Sequence, residues 1–327
     1  MKGQNHIKTT RSDGRNDEND PNYDGRNLSV EADNKQINQQ NLQEKIRQFR
    51  NQRKKMKNRN ITTIKRPKNV FQAFHLPKVL NLNPRSAMNK VEQIARFIEE
   101  EDIDVAFISE SHDRENKKLE DIFKLDTHTV ISNIHQRPNK EKGGRPALIV
   151  NKYKYNVENI TNTCINIPWG VEITWALLTP KQVTKDSVIK KVVLGAIYVK
   201  PKSKKITATI DHIAEVYNSL RAKFGHGLHW ILAGDTNQMK LVPILRLNKN
   251  LKSVVRSPTR NNHTNLAKSS ILDNIITDLH NWYQEPKCLP PIEPDSSTGK
   301  PSDHLMVIWE PLNVINNIPT RHIRKIT

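Results

Sequence analysis

Apolar positions are sparse through residue 69 and become regular from about Val70 almost to the end of the chain. VLNL (Val79–Leu82) reads as a short strand. Ser86 is placed to cap a helix whose apolar positions Val91, Ile94, Ala95 and Ile98 recur at helical spacing before Glu99–Glu101. VAFIS, residues 105–109, is the nearly continuous apolar run of a buried strand. Further strands are predicted at 129–134, 147–151, 171–178, 192–199, 230–233, 271–279 and 305–309. Residues 207–224 keep helical spacing through Ile210, Ile213, Ala214, Tyr217 and Leu220. Strands outnumber helices, and several connections are too short for the crossover helices of a doubly wound parallel sheet. The pattern predicts one α/β domain over 70–327, a sandwich of two sheets with helices outside.

Residues 1–43 carry six basic and seven acidic side chains among Asn, Gln, Asp and Gly. They have too little apolar surface to offset the entropy of ordering and read as a disordered tail. Residues 44–68 hold eleven basic side chains against Glu44 alone. This basic segment of the 1–69 tail reads as a solvated linker, a phosphate-binding helix or a nuclear import signal. Over the whole chain 53 Lys and Arg face 34 Asp and Glu, a net charge of +19, which favours a polyanionic partner. No apolar run has the length of a membrane span, and no apolar signal core opens the chain, so neither a membrane protein nor a secreted one is expected. Cys164 and Cys288 are too few for a disulfide scaffold or a Cys-rich zinc site, and fit a reducing compartment.

The chemically interesting side chains sit at the ends of the predicted strands. Asn83 follows VLNL, Glu110 follows VAFIS, and Tyr198 lies near the end of VVLGAIYV. Asp235 and Asn237 follow WILAG, Asp273 follows SSIL, and Asp303 and His304 precede LMVIW. If the ends converge, they make a pocket of carboxylates, amides, an imidazole and a phenol, an inventory suited to a divalent cation and proton transfer. Taken singly, each has a plainer reading. GDTN, residues 234–237, can be an Asx turn, and Tyr198 a strand aromatic with its hydroxyl at the rim.

As a set these residues resemble the endonuclease/exonuclease/phosphatase superfamily, most closely the apurinic-type endonuclease domains of non-LTR (LINE-like) retrotransposons. LNPRSAMNKVEQI resembles the first strand and helix, with the family's Asn on Asn83. IDVAFISES places the metal-binding Glu on Glu110, and AIYVKP places the active-site Tyr on Tyr198. LAGDTN carries the functional pair on Asp235 and Asn237. SPTR resembles a Thr-Arg stretch of the retrotransposon branch, and SILDNIITD puts the histidine's supporting Asp on Asp273. SDH places a metal-associated Asp on Asp303 and the catalytic His on His304. Pro84, Ser111-His112 and Thr236 depart from the pattern, and no reverse transcriptase follows.

The resemblance implies a four-layer α/β sandwich of two mixed β-sheets packed face to face with helices outside. It implies Mg²⁺ or Mn²⁺ on Glu110 and Asp303, with Asp235 alongside. The implied activity is hydrolysis of a DNA phosphodiester by a nicking endonuclease of mobile-element type, leaving a 3′-hydroxyl and a 5′-phosphate. A reverse transcriptase of the same element is an expected partner, and the nucleus an expected location. Asp235 and His304 both remain open as the general base. Arg85, Arg114, Arg145, Lys200, Lys202, Lys204, Lys205 and Arg260 lie on loops near the site, with Arg85, Arg145, Lys200 and Arg260 chosen as DNA contacts. The alternatives are a phosphatase or phosphodiesterase on lipids or nucleotides, and a nucleic-acid-binding protein that has lost turnover.

Overall fold

Alternation along the strands sorts their side chains into an inner and an outer face. In the computed structural model this gives twelve strands among the described residues, which are 76–112, 117–132, 144–161, 166–182, 189–260, 269–295 and 302–312. The predicted tail 1–69 with its basic segment, Arg114 and Cys164 lie outside them. In chain order the strands are β1 (Val79–Leu82), β2 (Val105–Ile108), β3 (His128–Ser132), β4 (Ala147–Asn151), β5 (Tyr155–Asn159) and β6 (Glu172–Pro180). Then follow β7 (Lys191–Tyr198), β8 (Leu228–Asp235), β9 (Lys252–Ser253), β10 (Asp273–Thr277), β11 (Lys287–Leu289) and β12 (Met306–Trp309). One sheet has the order β11-β12-β1-β2-β4-β3, the other β5-β6-β7-β8-β10-β9. Each is mixed: β1 and β2 run parallel in the first, β7 and β8 in the second, and the remaining neighbours are antiparallel.

The inner faces meet in one apolar core. Val105, Phe107 and Val150 of the first sheet share it with Leu194, Ala196, Ile231 and Ile275 of the second. The alternate residues Ala106, Ile108 and Ile149 face outward and cover Ile94 and Ile98 of α1 (Val91–Glu100). On the other side Trp175, Val193 and Trp230 pack under Ile213, Val216 and Leu220 of a long helix, Ile206–Phe224. Two short helices, α2 (Leu119–Ile122) and α4 (Val242–Leu245), stand on either side of it in the sequence, which makes the long one α3. The result is the expected four-layer sandwich. Among the described residues no helix is long and apolar enough to cross a membrane.

The first helix starts later than expected. Ser86 flanks a 3-10 turn, Ala87–Asn89, and makes no side-chain cap hydrogen bond. The backbone N–H groups of Glu92 and Gln93 donate to the Asp295 carboxylate, at 3.4 and 3.2 Å. A residue some two hundred positions away thus does the capping.

His212 of α3 is 1% exposed, and its Nε2 accepts the Trp175 indole N–H at 3.1 Å. Burial pulls its pKa from 6.5 to about 4. The unfolded chain takes up this proton below about pH 6.5 and the folded one only near 4. The stability His212 contributes is therefore complete above about 6.5 and declines as pH falls, by about 3 kcal/mol at the acid end. His212→Gln retains an acceptor but cannot titrate. Urea unfolding at pH 7 and 4.5 is expected to show a smaller acid loss in that variant than in the parent, and equal losses would contradict the assignment.

Candidate active site

Strand pairing gathers the polar strand ends. Leu82 of β1 lies beside Ile108 of β2 in a parallel pair, so Asn83 and Ser109 leave the first sheet together, with Glu110 next. In the second sheet Asp235 pairs with Tyr198 on one side and Asp273 on the other, which brings β7, β8 and β10 to the same end. Gly234 has φ +145, and a Cβ there would collide with the Ile197 carbonyl of β7. The backbone just before Asp235 therefore requires glycine.

Hydrogen bonds stitch the two sheets across this end. The Asp235 backbone N–H donates to Ser109 Oγ at 2.8 Å, and the fully buried Asn83 donates through Nδ2 to Asp235 Oδ2 at 2.9 Å and to Glu110 Oε1 at 3.2 Å. Asn83 Oδ1 accepts the Arg85 N–H at 3.0 Å, and its backbone carbonyl accepts Ser302 Oγ at 2.7 Å. One amide thus ties together two carboxylates and the loop that carries His304. Asn237 holds Asp235 from behind: its N–H donates to Asp235 Oδ1 at 3.0 Å, and its Nδ2 donates to Val199 O at 2.8 Å.

Opposite Asp235 stands the His304–Asp273 pair. His304 Nδ1 is 2.7 Å from Asp273 Oδ2, and Nε2 is 4.0 Å from Asp235 Oδ2. Thr259 Oγ1 accepts the N–H groups of Leu272 and Asp273, both at 3.0 Å, and fixes the start of β10. Burial opposes charge on His304, but the Asp273 hydrogen bond and the surrounding carboxylates outweigh it and raise the imidazole to about 9. Burial, with repulsion from Asp273, raises Asp235 to about 7. Glu110 is lowered: burial works against its charge, and hydrogen bonds from His112, at 2.9 Å, and Asn83 overcome that.

Asp235, Asp273 and His304 offer donor atoms within 4.8 Å of one another, all buried, a cluster suited to a divalent cation. Asp273 Oδ1 is enclosed with no hydrogen-bond partner. A histidine held protonated by Asp273 is a poor ligand, since ligation requires a free nitrogen lone pair. Through its Nδ2 Asn83 also brings a further carboxylate, Glu110, toward Asp235.

Asp303, expected at the metal, and Arg145, expected on DNA, both have partners within the protein. Asp303 Oδ2 accepts Arg260 Nε at 2.8 Å and Nη2 at 2.7 Å, and Arg85 Nε stands 3.8 Å from Oδ1. Its carboxylate is lowered because the His304 and Arg260 charges exceed the effect of burial. It serves as an anchor for arginines. Arg145, expected as a surface contact, is 5% exposed. Its backbone N–H donates to Glu172 Oε2 at 2.8 Å and its carbonyl accepts Ser111 Oγ at 2.6 Å, while its guanidinium Nη1 is buried with no hydrogen-bond partner. Arg85 and Arg260, with side chains 54% and 50% exposed, do reach the rim. Lys200 is exposed on the loop after β7, and Tyr198 is largely buried beside Asp235.

Ser109, Thr259, Ser302, His112 and Glu172 were not read from the sequence as site residues. Glu172 and Asn81 carried a usable signal, since each is polar at an inward position of a strand near the site end. Asn81 Nδ2 donates across the sheets to Asn274 O at 3.2 Å.

No protein-family model matches the chain, and no curated protein does. Solved structures do. The AP endonuclease LMAP from Leishmania major matches at 12% identity and a TM-score of 0.52, over 72% of this chain and 87% of that one. The 3′ phosphatase NExo from Neisseria, bound to a product DNA hairpin, matches at 13% identity and 0.50, over 72% and 99%. The endonuclease domain of TRAS1, a telomere-specific non-LTR retrotransposon, matches at 15% identity and 0.49, over 72% and 99%. The first two carry the comparison: with its paired mixed sheets and outer helices, the chain shares the fold of these two enzymes.

Proposed function

We propose that this protein is a metal-dependent phosphodiesterase that nicks DNA. The observation that carries the reading is the buried cleft in which Asp235 Oδ2 stands 4.0 Å from His304 Nε2, with Asp273 2.7 Å from the other ring nitrogen. Asp235 orients the attacking water and takes its proton, with its two oxygens fixed by Asn83 and Asn237. His304, protonated to about pH 9 and steadied by Asp273, presents Nε2–H to the phosphate oxygens as negative charge builds on them. Arg85 and Arg260, aligned by Asp303, grip neighbouring phosphates from the rim, and Tyr198 stands next to Asp235 on the neighbouring strand. When bound, Mg²⁺ or Mn²⁺ at Glu110 and Asp235 would polarise a phosphoryl oxygen and offset the repulsion between carboxylates.

The net charge of +19 favours a nucleic acid over an uncharged substrate. Both structures that carry the fold assignment are named as enzymes of DNA-type chemistry, an AP endonuclease and a 3′ phosphatase with a DNA product. The sequence resemblance supports a mobile-element role, with nicking in the nucleus to supply a primer for a reverse transcriptase. The test is to incubate the protein with supercoiled plasmid, an abasic duplex and phosphoinositide vesicles, with and without Mg²⁺, beside Asp235→Ala. Mg²⁺-dependent nicked circle that disappears in the variant is expected. Phosphate release from the lipid with the plasmid intact, or equal nicking by the variant, would overturn the reading.

A further inference from the structure

The turn leading into β6 holds a tryptophan out in solvent. The Val171 N–H donates to Pro168 O at 3.0 Å, closing a four-residue turn. Gly170, its third residue, has φ +79, the left-handed conformation that a type II turn demands there. Trp169, the second, is 62% exposed. Its neighbours are anchored: Val171 is fully buried, and Ile167 packs on the outer core of the second sheet. The indole is therefore presented by a rigid support.

Beside this turn runs the loop between β7 and α3. Lys200, Lys202, Lys204 and Lys205 are all exposed, and no acidic residue occurs from 199 to 210. The loop is fixed by three hydrogen bonds: Ser203 N–H to Lys200 O at 3.0 Å, Lys202 N–H to Gln238 Oε1 at 3.1 Å, and Lys205 N–H to Ser203 Oγ at 3.0 Å. The two segments are adjacent: a Cβ on Gly170 would lie 3.5 Å from Cγ and Cε of Lys205. Three residues beyond Trp169, Glu172 pairs with Tyr198, which pairs with Asp235. The turn thus stands at the active-site end of the sheet, about 10 Å of strand spacing from the Asp235 strand.

An exposed aromatic by itself is ordinary. An exposed indole on a turn next to a purely basic loop, at the active-site end of the sheet, has a specific complement. We infer that Trp169 and the Lys200–Lys205 loop form a subsite for an unpaired base of the DNA strand, with the base stacked on the indole and its flanking phosphates on the lysines. This rests on the nuclease reading above. A base within a duplex has both faces covered by its neighbours, whereas an unpaired one offers a free π-face.

The test is binding by the full chain in EDTA, followed by anisotropy and by tryptophan emission, to a short single strand and to the matching duplex. Trp175, Trp230 and Trp309 are buried and Trp282 is half-buried, so the part of the quenching that disappears in Trp169→Ala is the signal assigned to Trp169. The parent is expected to prefer the single strand. Trp169→Ala should lose about tenfold in affinity for it and abolish the preference, while Trp169→Phe restores most of both. Changing Lys202, Lys204 and Lys205 together to Ala should weaken binding to both forms and flatten the salt dependence. Unaltered binding by Trp169→Ala, or an equal loss on strand and duplex, would overturn the subsite, as would Trp169-dependent binding to anionic vesicles but not to DNA. Mg²⁺-dependent nicking by the parent is scored separately. A protein that nicks but ignores Trp169 sinks the subsite alone, and one that stacks a strand through Trp169 but never cleaves sinks the nuclease reading alone.

Discussion

Asp235→Asn is expected to lower Mg²⁺-dependent nicking by about 10²–10⁴-fold, the usual contribution of a positioned proton acceptor. The substitution keeps the size of the side chain and one acceptor oxygen, so either Asn83 or Asn237 loses a partner, at about 1 kcal/mol independent of pH. The charge effect does depend on pH. The unfolded carboxyl ionises near 3.8, whereas the folded one, buried beside Asp273, ionises near 7. Between those values the native state retains a proton that the unfolded state releases, so Asp235 costs increasing stability as pH rises, and the full cost is present above about 7. Asparagine has no such cost. Measured by urea unfolding in EDTA, the stability of the variant relative to the parent should therefore improve from pH 4 to pH 7. A pH-independent difference would mean that Asp235 is not raised, and a variant nicking at the parental rate would remove it from the chemistry.

The sequence made the centres of the sheets and the edge strand β3 legible and left the other three edges obscure. VAFI and KVVLGAIY are apolar on both faces because each is covered by core on one side and by core or a helix on the other. The other three edge strands lack that double burial. β5 (YNVEN) has one fully buried residue, β9 is two residues long and β11 three, so none leaves a pattern to read. The site shows the same division. Polar groups immediately after apolar runs were visible because a scaffold must end where a loop begins. Their pairings were not visible, since a carboxylate's partner depends on what the fold brings near it. Asp303 lies next to His304 in the chain yet faces Arg260, 43 positions away. Arg145 follows a glycine pair, which reads as an open loop, but Glu172 and Ser111 draw that loop inward. Ser109 and Thr259 are single hydroxyls whose function is to accept backbone N–H groups, a role with no local sequence mark.

Asp273→Asn should be nearly as damaging as loss of the imidazole itself, about 10²–10⁴-fold in nicking, although Asp273 is fully buried. Its contribution lies in the charge it keeps on His304. The imidazole is raised from 6.5 to about 9, against the effect of burial, chiefly through the 2.7 Å hydrogen bond to Asp273. The stability that comes from this protonated pair is complete below about pH 6.5 and is lost as pH rises through 9. With asparagine at 273 the hydrogen bond survives to a neutral acceptor, the counter-charge is gone, and burial pulls the imidazole down. Followed by NMR of the His304 ring in EDTA, its titration should move from near 9 in the parent to well below that in the variant. At neutral pH the imidazole then loses the Nε2–H that faces the phosphate oxygens. Because aspartate and histidine act as one unit, the double variant Asp273→Asn/His304→Gln should be scarcely worse than either single change. Additive losses would place Asp273 and His304 in separate roles, and a His304 still titrating near 9 without the aspartate would assign its charge to Asp235 and the cleft as a whole.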